Sequence, residues 1–209
     1  MTVEIMAHLT FWYEFASTYS YPAAMRIEEY ANNAGVKITW RPFLLGPIFR
    51  HQGWSTSPFN LYPIKGAYMW RDLERICAQQ KLPFRRPTPF PQNGLLAARL
   101  ATFGLSQGWG INFSKAVYQA EFGDGKSIDG EAFLAELVTR AGGEAAAAMQ
   151  DALSEENKNR LRQSTEAAIA LGVFGSPFFT TDDGELFWGN DRMEQALDWA
   201  KNSSASHGN

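Results

Sequence analysis

Four short stretches of the chain hold polar residues at spacings that can do chemistry. The first is Ser17-Thr18-Tyr19-Ser20, a polar break between an aromatic run and a helical pattern. A hydroxyl placed there faces a helix N-terminus, where unpaired N–H groups and the dipole favour negative charge. Serine shuttles no electrons, but its hydroxyl can donate a hydrogen bond to a thiolate carried by another molecule. The plainer reading is that Ser17 or Ser20 caps the helix, as serines often do. The second stretch is Val173–Phe179, with Ser176-Pro177 directly ahead of a strand. A cis bond there costs little and would leave the Ser176 N–H and C=O free for an extended peptide. A trans proline would simply begin an edge strand. The third is Trp188–Glu194, where Asn190 or Asp191 opens the last helix. Either residue can be a cap, or Asp191 can hold the amino group of a zwitterion whose carboxylate takes nearby N–H groups. The fourth is Phe59–Gly66, a loop offering the Asn60 amide and the Lys65 cation to anionic groups. A lone loop lysine can equally be only solvated.

Other chemistries lack their residues. The three histidines, His8, His51 and His207, have no metal-like spacing, so no metal site is expected. No Gly-rich dinucleotide fingerprint, phosphate-binding GKS/T or GxSxG elbow occurs, and Ser17 has no evident His/Asp partners. The single cysteine, Cys77, rules out an internal disulfide and a CxxC pair. In the helical stretch MWRDLERICAQQ it shares a face with Met69 and Leu73 and reads as a small buried apolar side chain. With 209 residues, 45% hydrophobic, 20% charged and a net charge of −3, the chain fits one domain carrying a large insertion. That charge gives no reason to expect nucleic acid or an anionic membrane as partner. The 7 Trp, 7 Tyr and 15 Phe suit a core and are compatible with a flat apolar ligand. The opening MTVEIMAHLTFWYEF lacks the pattern of a signal peptide, and no run of about 18 apolar residues occurs. A soluble, cytoplasmic protein is expected.

The elements that must position these residues follow from periodicity. His8–Phe15 reads as a buried strand, PAAMRIEEYANNAG from Pro22 as a helix stopped by Gly35, and Val36–Phe43 as a second strand. This is a βαβ unit, so its strands should be parallel. Gly46–Gly66, with three prolines, reads as a long ordered loop. Helices are predicted over Ala67–Gln80, Asn93–Gln107, Gly110–Phe122, Gly130–Ala141, Ala145–Met149 and about Ser154–Leu171. Pro177–Thr181 and Glu185–Trp188 flank an Asp-Asp-Gly turn as a hairpin, Met193–Lys201 is a last helix, and Asn202–Asn209 reads as a disordered tail. The order β-α-β, helices, then α-β-β-α is a thioredoxin-like α/β fold with a large all-α insertion. On this reading residues 1–45 and 172–209 form the thioredoxin-like domain, with a flanking helix from about 154, and 46–171 the insertion.

Five segments taken in order carry a family resemblance: FWYEFASTYSYPA, ITWRPFLLGPIF, SPFNLYPIKGAYMWRDLER, STEAAIALGVFGSPFF and WGNDRMEQAL. Together they resemble the DsbA-like branch that contains kappa-class glutathione transferases and 2-hydroxychromene-2-carboxylate isomerases. The FNLYPxKGxYMWRDLER stretch is more similar to the bacterial isomerases. Redox members of this superfamily carry CxxC where this chain has Ser17-x-x-Ser20. The resemblance implies that glutathione is the cofactor, with its sulfur near Ser17 at the family's catalytic serine position. It implies that Ser176 and Pro177 pair with the cysteinyl unit, that Asn190 and Asp191 hold the γ-glutamyl end, and that Asn60 and Lys65 contact glutathione or substrate. Thr18 departs from the Ser-Pro that many relatives have.

The implied reaction interconverts 2-hydroxychromene-2-carboxylate and trans-o-hydroxybenzylidenepyruvate without redox change, in a homodimer acting in aromatic degradation. Tyr19, Tyr68 and Arg71 are the expected substrate contacts, with Met69 and Trp70 in a helical lid and Lys65 or Arg71 meeting the substrate carboxylate. Three alternatives share the site: a kappa-like glutathione transferase, a non-catalytic thiol- or peptide-binding module, and, against the missing CxxC, a disulfide oxidoreductase.

Overall fold

The centre of the fold is an aromatic strand that has no exposed face. In the computed structural model, which describes residues 6–54 and 57–206, β1 is His8–Tyr13. Leu9, Phe11 and Tyr13 are fully buried on one face and Trp12 on the other, as expected of a strand covered on both sides. α1, Ser20–Ala34, returns the chain, and Gly35 ends it in a left-handed conformation (φ 72°) with its N–H bonded to the Ala31 and Asn32 carbonyls. β2, Lys37–Pro42, then pairs parallel to β1, as the βαβ pattern requires.

The next stretch corrects an expectation. Gly46–Gly66 contains two helices, α2 (Leu45–His51) and α3 (Pro58–Leu61), and α4 begins at Pro63 and runs to Gln79. Pro47, Pro58 and Pro63 each sit in the first turn of their helix, where the missing N–H has no carbonyl to meet. The prolines that read as loop punctuation are helix starts. α5 (Leu95–Ser106), α6 (Gly110–Tyr118), α7 (Glu131–Arg140), α8 (Ala145–Ala152) and α9 (Glu155–Ala170) follow the predicted helices closely. The exception is Gln119–Gly123, which continues α6 as a π-helical turn. Ser154 caps α9, its hydroxyl accepting from the Asn157 N–H.

β3 (Phe178–Thr181) pairs antiparallel to β1, and β4 (Leu186–Trp188) antiparallel to β3, with Gly184 at φ 92° in the turn between them. The sheet order β2-β1-β3-β4 makes β1 central. Phe11 stacks with Tyr13 and Phe179 at 5.4 Å and meets Trp40 edge-on at 5.0 Å, contacts that add about 0.5–1.5 kcal/mol each beyond burial. This face shares its core with α1, α5, α6 and α10, the last being Met193–Ser206. Trp12 packs on the opposite face with Phe43, Ile48, Ala168 and Phe178, under α2 and α9.

The expected disordered tail is helical as far as Ser206. Ala200 is buried, and Ser203 and Ser204 are part-buried where α10 meets Ala7 and His8. Residues 207–209 of that tail and residues 1–5 of the opening segment lie outside the described residues. Among the described residues no helix is long and apolar enough to cross a membrane.

Candidate functional site

The site is built where β1 ends and α1 begins. The Ser17 N–H donates to the Glu14 carbonyl (3.0 Å) and the Ser20 N–H to the Ser17 carbonyl (3.2 Å), so two tight turns carry the chain into the helix. No side chain caps α1; both serines point elsewhere. The Ser17 hydroxyl donates to the Ser176 carbonyl at 2.7 Å, and the Ser20 and Ser176 hydroxyls share a hydrogen bond of 2.7 Å. The capping alternative is thus replaced by a clasp between residues about 160 positions apart in sequence.

Ser176-Pro177 is cis. Of the two backbone groups expected to stay free beside it, the carbonyl already accepts from Ser17, although a carbonyl has a second lone pair. The Pro177 carbonyl accepts from the Gly189 N–H at 3.0 Å and ties the cis turn to the end of β4. A Cβ on Gly175 would stand 2.5 Å from the Trp188 indole nitrogen, so a glycine lets this indole close over the turn.

Ser17, Ser176 and Lys65 line one cavity of about 790 Å³, a volume suited to a small-molecule ligand. Phe49, Trp54, Phe59, Phe174 and Trp188 supply apolar walls, and Glu14, Thr18, Gln52, Ser57 and Gln92 further polar groups. Phe174 and Trp188 meet at 5.0 Å and Phe49 and Trp54 at 5.9 Å, forming two aromatic walls. The Lys65 ammonium lies 4.8 Å from the centre of the Tyr62 ring. A neighbouring cavity of about 670 Å³ shares Phe59 and holds Asn60, Met69, Trp70 and Arg86, the Arg86 guanidinium lying 4.6 Å over Trp70.

The remaining predicted residues lie apart from these walls. Tyr19 donates to Asp72 (3.0 Å), and burial first, then that carboxylate, pushes its phenol upward. Tyr68 is exposed beneath Arg75, and Arg71 pairs with Glu74 at 2.6 Å on the surface. Neither lines either of these two cavities. Asn190 and Asp191 sit in a one-turn 3₁₀ helix before α10. Asn190 is buried and accepts from Arg26 at 2.9 Å, while Asp191 is exposed and close enough to Tyr19 to raise its phenol further. Cys77 is buried beside Met69 and Leu73, which pushes its thiol up to about 11 and makes it a poor nucleophile.

Sequence reasoning missed the walls and the acids. Phe49, Trp54 and Phe59 stand in the stretch read as loop, and aromatics clustered among prolines and glycines are a usable signal for a binding wall. Glu14 lines the cavity three residues ahead of Ser17, with its Oε2 buried and unpartnered among the described residues. Burial pushes this carboxyl up to about 8 against a backbone hydrogen bond that lowers it. Glu121, in the π turn, is fully buried with neither oxygen partnered among the described residues, and burial followed by Glu14 pushes it well above the carboxylate range. Its spacing from Phe113 and Val117, eight and four residues, places an acid on an apolar helix stripe.

A family model described as a DSBA-like thioredoxin domain matches residues 8–199. The chain belongs to this family. Within it, the 2-hydroxychromene-2-carboxylate isomerase of Sphingobium xenophagum is 28% identical over 187 residues, covering 89% of this chain and 94% of that one. Glutathione S-transferase kappa 2 of Caenorhabditis elegans is 27% identical over 208 residues, covering 90% and 89%. A solved 2-hydroxychromene-2-carboxylate isomerase superposes with a TM-score of 0.81 at 25% identity, covering 96% of this chain and 98% of that chain. The DSBA-like frame therefore extends through the helices between β2 and β3 as well as the sheet.

Proposed function

We propose that this chain binds glutathione in the Ser17 cavity and isomerises 2-hydroxychromene-2-carboxylate to trans-o-hydroxybenzylidenepyruvate. The observation that carries the reading is the clasp: a Ser-x-x-Ser at the start of α1 hydrogen-bonded to the residue before a cis proline, with no sulfur present. The cavity volume and the Ser176 backbone beside it fit a tripeptide thiol. Glutathione, when bound, supplies the nucleophilic sulfur that adds to a substrate carbon and later leaves it.

The chain's own residues do the rest. The Ser17 hydroxyl turns from the Ser176 carbonyl to donate toward the sulfur, and the N-terminus of α1 favours the anion there. The second lone pair of the Ser176 carbonyl receives the cysteinyl N–H. Asn190 and Asp191, on the Tyr19 side, hold the γ-glutamyl end. Lys65 meets the substrate carboxylate within the aromatic walls; Arg71, engaged by Glu74, is the weaker candidate. The same reading makes the protein a cytoplasmic homodimer serving aromatic degradation.

A kappa-like transferase is the second reading, favoured by relatives of both names at nearly equal identity. It would use Ser17 in the same way and release a conjugate. The test follows 2-hydroxychromene-2-carboxylate spectroscopically with and without glutathione, beside Ser17→Ala. Glutathione-dependent appearance of the trans isomer, lowered about 10²–10³-fold in the variant, supports the isomerase. A released conjugate moves the function to a transferase. Saturable glutathione binding without any product leaves a binding module.

A further inference from the structure

The clasp accounts for Ser17, Ser20 and Ser176 but leaves two acids beside it unexplained. Glu14 follows β1, and its backbone is held at both ends of the site: its carbonyl accepts from the Ser17 N–H at 3.0 Å and from the Tyr118 hydroxyl at 2.9 Å. Its carboxyl is partly exposed to the cavity that Ser17 lines, while Oε2 is shielded and unpartnered among the described residues. Behind it, Glu121 is buried without a partner for either oxygen among the described residues. The titratable groups around Glu14 are Tyr13 on its own strand, Tyr118 of α6 and Glu121 of the π turn. Lys65 is the one cation among the described residues lining the cavity. Buried acids without cations beside them are held neutral.

Resting on the reading above, we infer that Glu14 is the proton donor of the site, with Glu121 a neutral neighbour behind it. The isomerase reading needs such a group. The hemiketal first opens: its C2–O ring bond breaks, the phenol oxygen takes the hydroxyl proton, and the C2 hydroxyl oxygen becomes the ketone. When sulfur then bonds to the carbon β to that ketone, the carbon–carbon π pair shifts to the carbonyl carbon as an enol double bond and the C=O π pair moves onto the oxygen. That oxygen takes the Glu14 proton and leaves a carboxylate. When the bond to sulfur breaks, the carboxylate takes the proton back and the double bond re-forms, rotated. No net proton is consumed. Burial sets this acid near about 8, so it is largely protonated at neutral pH and matched to an oxygen that gains charge only during reaction.

The experiment compares the full-length protein with Glu14→Gln and Glu121→Gln in three measurements. Infrared difference spectra of the free protein between pH 6 and pH 10 should show a carboxylic-acid carbonyl band that disappears as pH rises, and Glu14→Gln should remove part of it. Calorimetry with glutathione should give affinities within about threefold for all three proteins. The pH profile of kcat on 2-hydroxychromene-2-carboxylate should fall above about pH 8; Glu14→Gln should lower kcat about 10²-fold and remove that limb. Glu121→Gln should leave the limb where it is, because Glu121 is itself held neutral while Glu14 ionises. Bound glutathione with a kcat and limb indifferent to Glu14→Gln overturns the donor role alone. Absence of glutathione binding by the unaltered protein overturns the donor role and the proposed function together.

Discussion

The two sides of Ser17 are built on opposite principles. On one side, Ser17, Ser20 and Ser176 satisfy one another through short, neutral hydrogen bonds. On the other, Oε2 of Glu14 and both carboxyl oxygens of Glu121 are shielded and meet no donor among the described residues. A satisfied network fixes geometry at small cost, whereas an unsatisfied acid costs stability and gains reactivity. Each side can therefore be disturbed separately.

The largest expected effect separates them by pH. The Glu14 carboxyl is raised from 4.5 to about 8 by burial. A folded-state pKa above the unfolded one means that stability is fully present below pH 4.5 and is lost as pH rises toward 8. At about 1.4 kcal/mol per pKa unit, the loss is on the order of 5 kcal/mol, or roughly 10 °C in thermal midpoint for a chain of this size. Thermal unfolding at pH 5 and pH 8 should show this decline, and Glu14→Gln with Glu121→Gln together should flatten it. An unchanged slope in the double variant would place the cost elsewhere. The serine side carries no titrating group and contributes nothing to the slope.

A smaller effect of opposite sign is expected when one acid is removed outright. Glu121→Met replaces an unpartnered buried carboxyl with an apolar side chain of similar length, so the fold should gain about 1–3 kcal/mol at neutral pH. Chemical denaturation reads the gain directly. No gain would mean that the carboxyl is satisfied in solution and that the contrast between the two sides is shallower than the geometry indicates.

The same contrast governs what the sequence made legible. The strands, the βαβ unit, the Asp-Asp-Gly hairpin and most of the helices follow from local periodicity and turn chemistry, and the structure has them. Local signals misled where one residue type serves two ends of an element: Pro47, Pro58 and Pro63 read as loop and sit in first turns of helices. The α10 extension to Ser206 depends on packing against Ala7 and His8, which no local pattern encodes. Ser17, Ser176 and Lys65 stand out in their motifs, and the structure brings them to one cavity. Glu14 was not legible, because it lies at the end of a strand read from its aromatic run, and its neighbours Tyr118 and Gly94 come from about 100 and 80 residues away. Glu121 was legible in principle from its spacing, but an acid on an apolar stripe is discounted unless a partner is in view.

The smallest expected effect probes the satisfied side. Ser20→Ala removes one partner of the Ser20–Ser176 hydrogen bond while leaving Ser17 bonded to the Ser176 carbonyl. Ser20 is fully buried, so the Ser176 hydroxyl loses a neighbour that solvent does not readily replace, at about 1 kcal/mol. Because the hydroxyl argued to face the sulfur is that of Ser17, turnover with glutathione should fall only a few-fold, against about 10²–10³-fold for Ser17→Ala. Steady-state rates beside urea unfolding of the two variants test this ordering. If Ser20→Ala costs as much turnover as Ser17→Ala, the clasp acts as a unit and its second serine belongs to the chemistry rather than to its support.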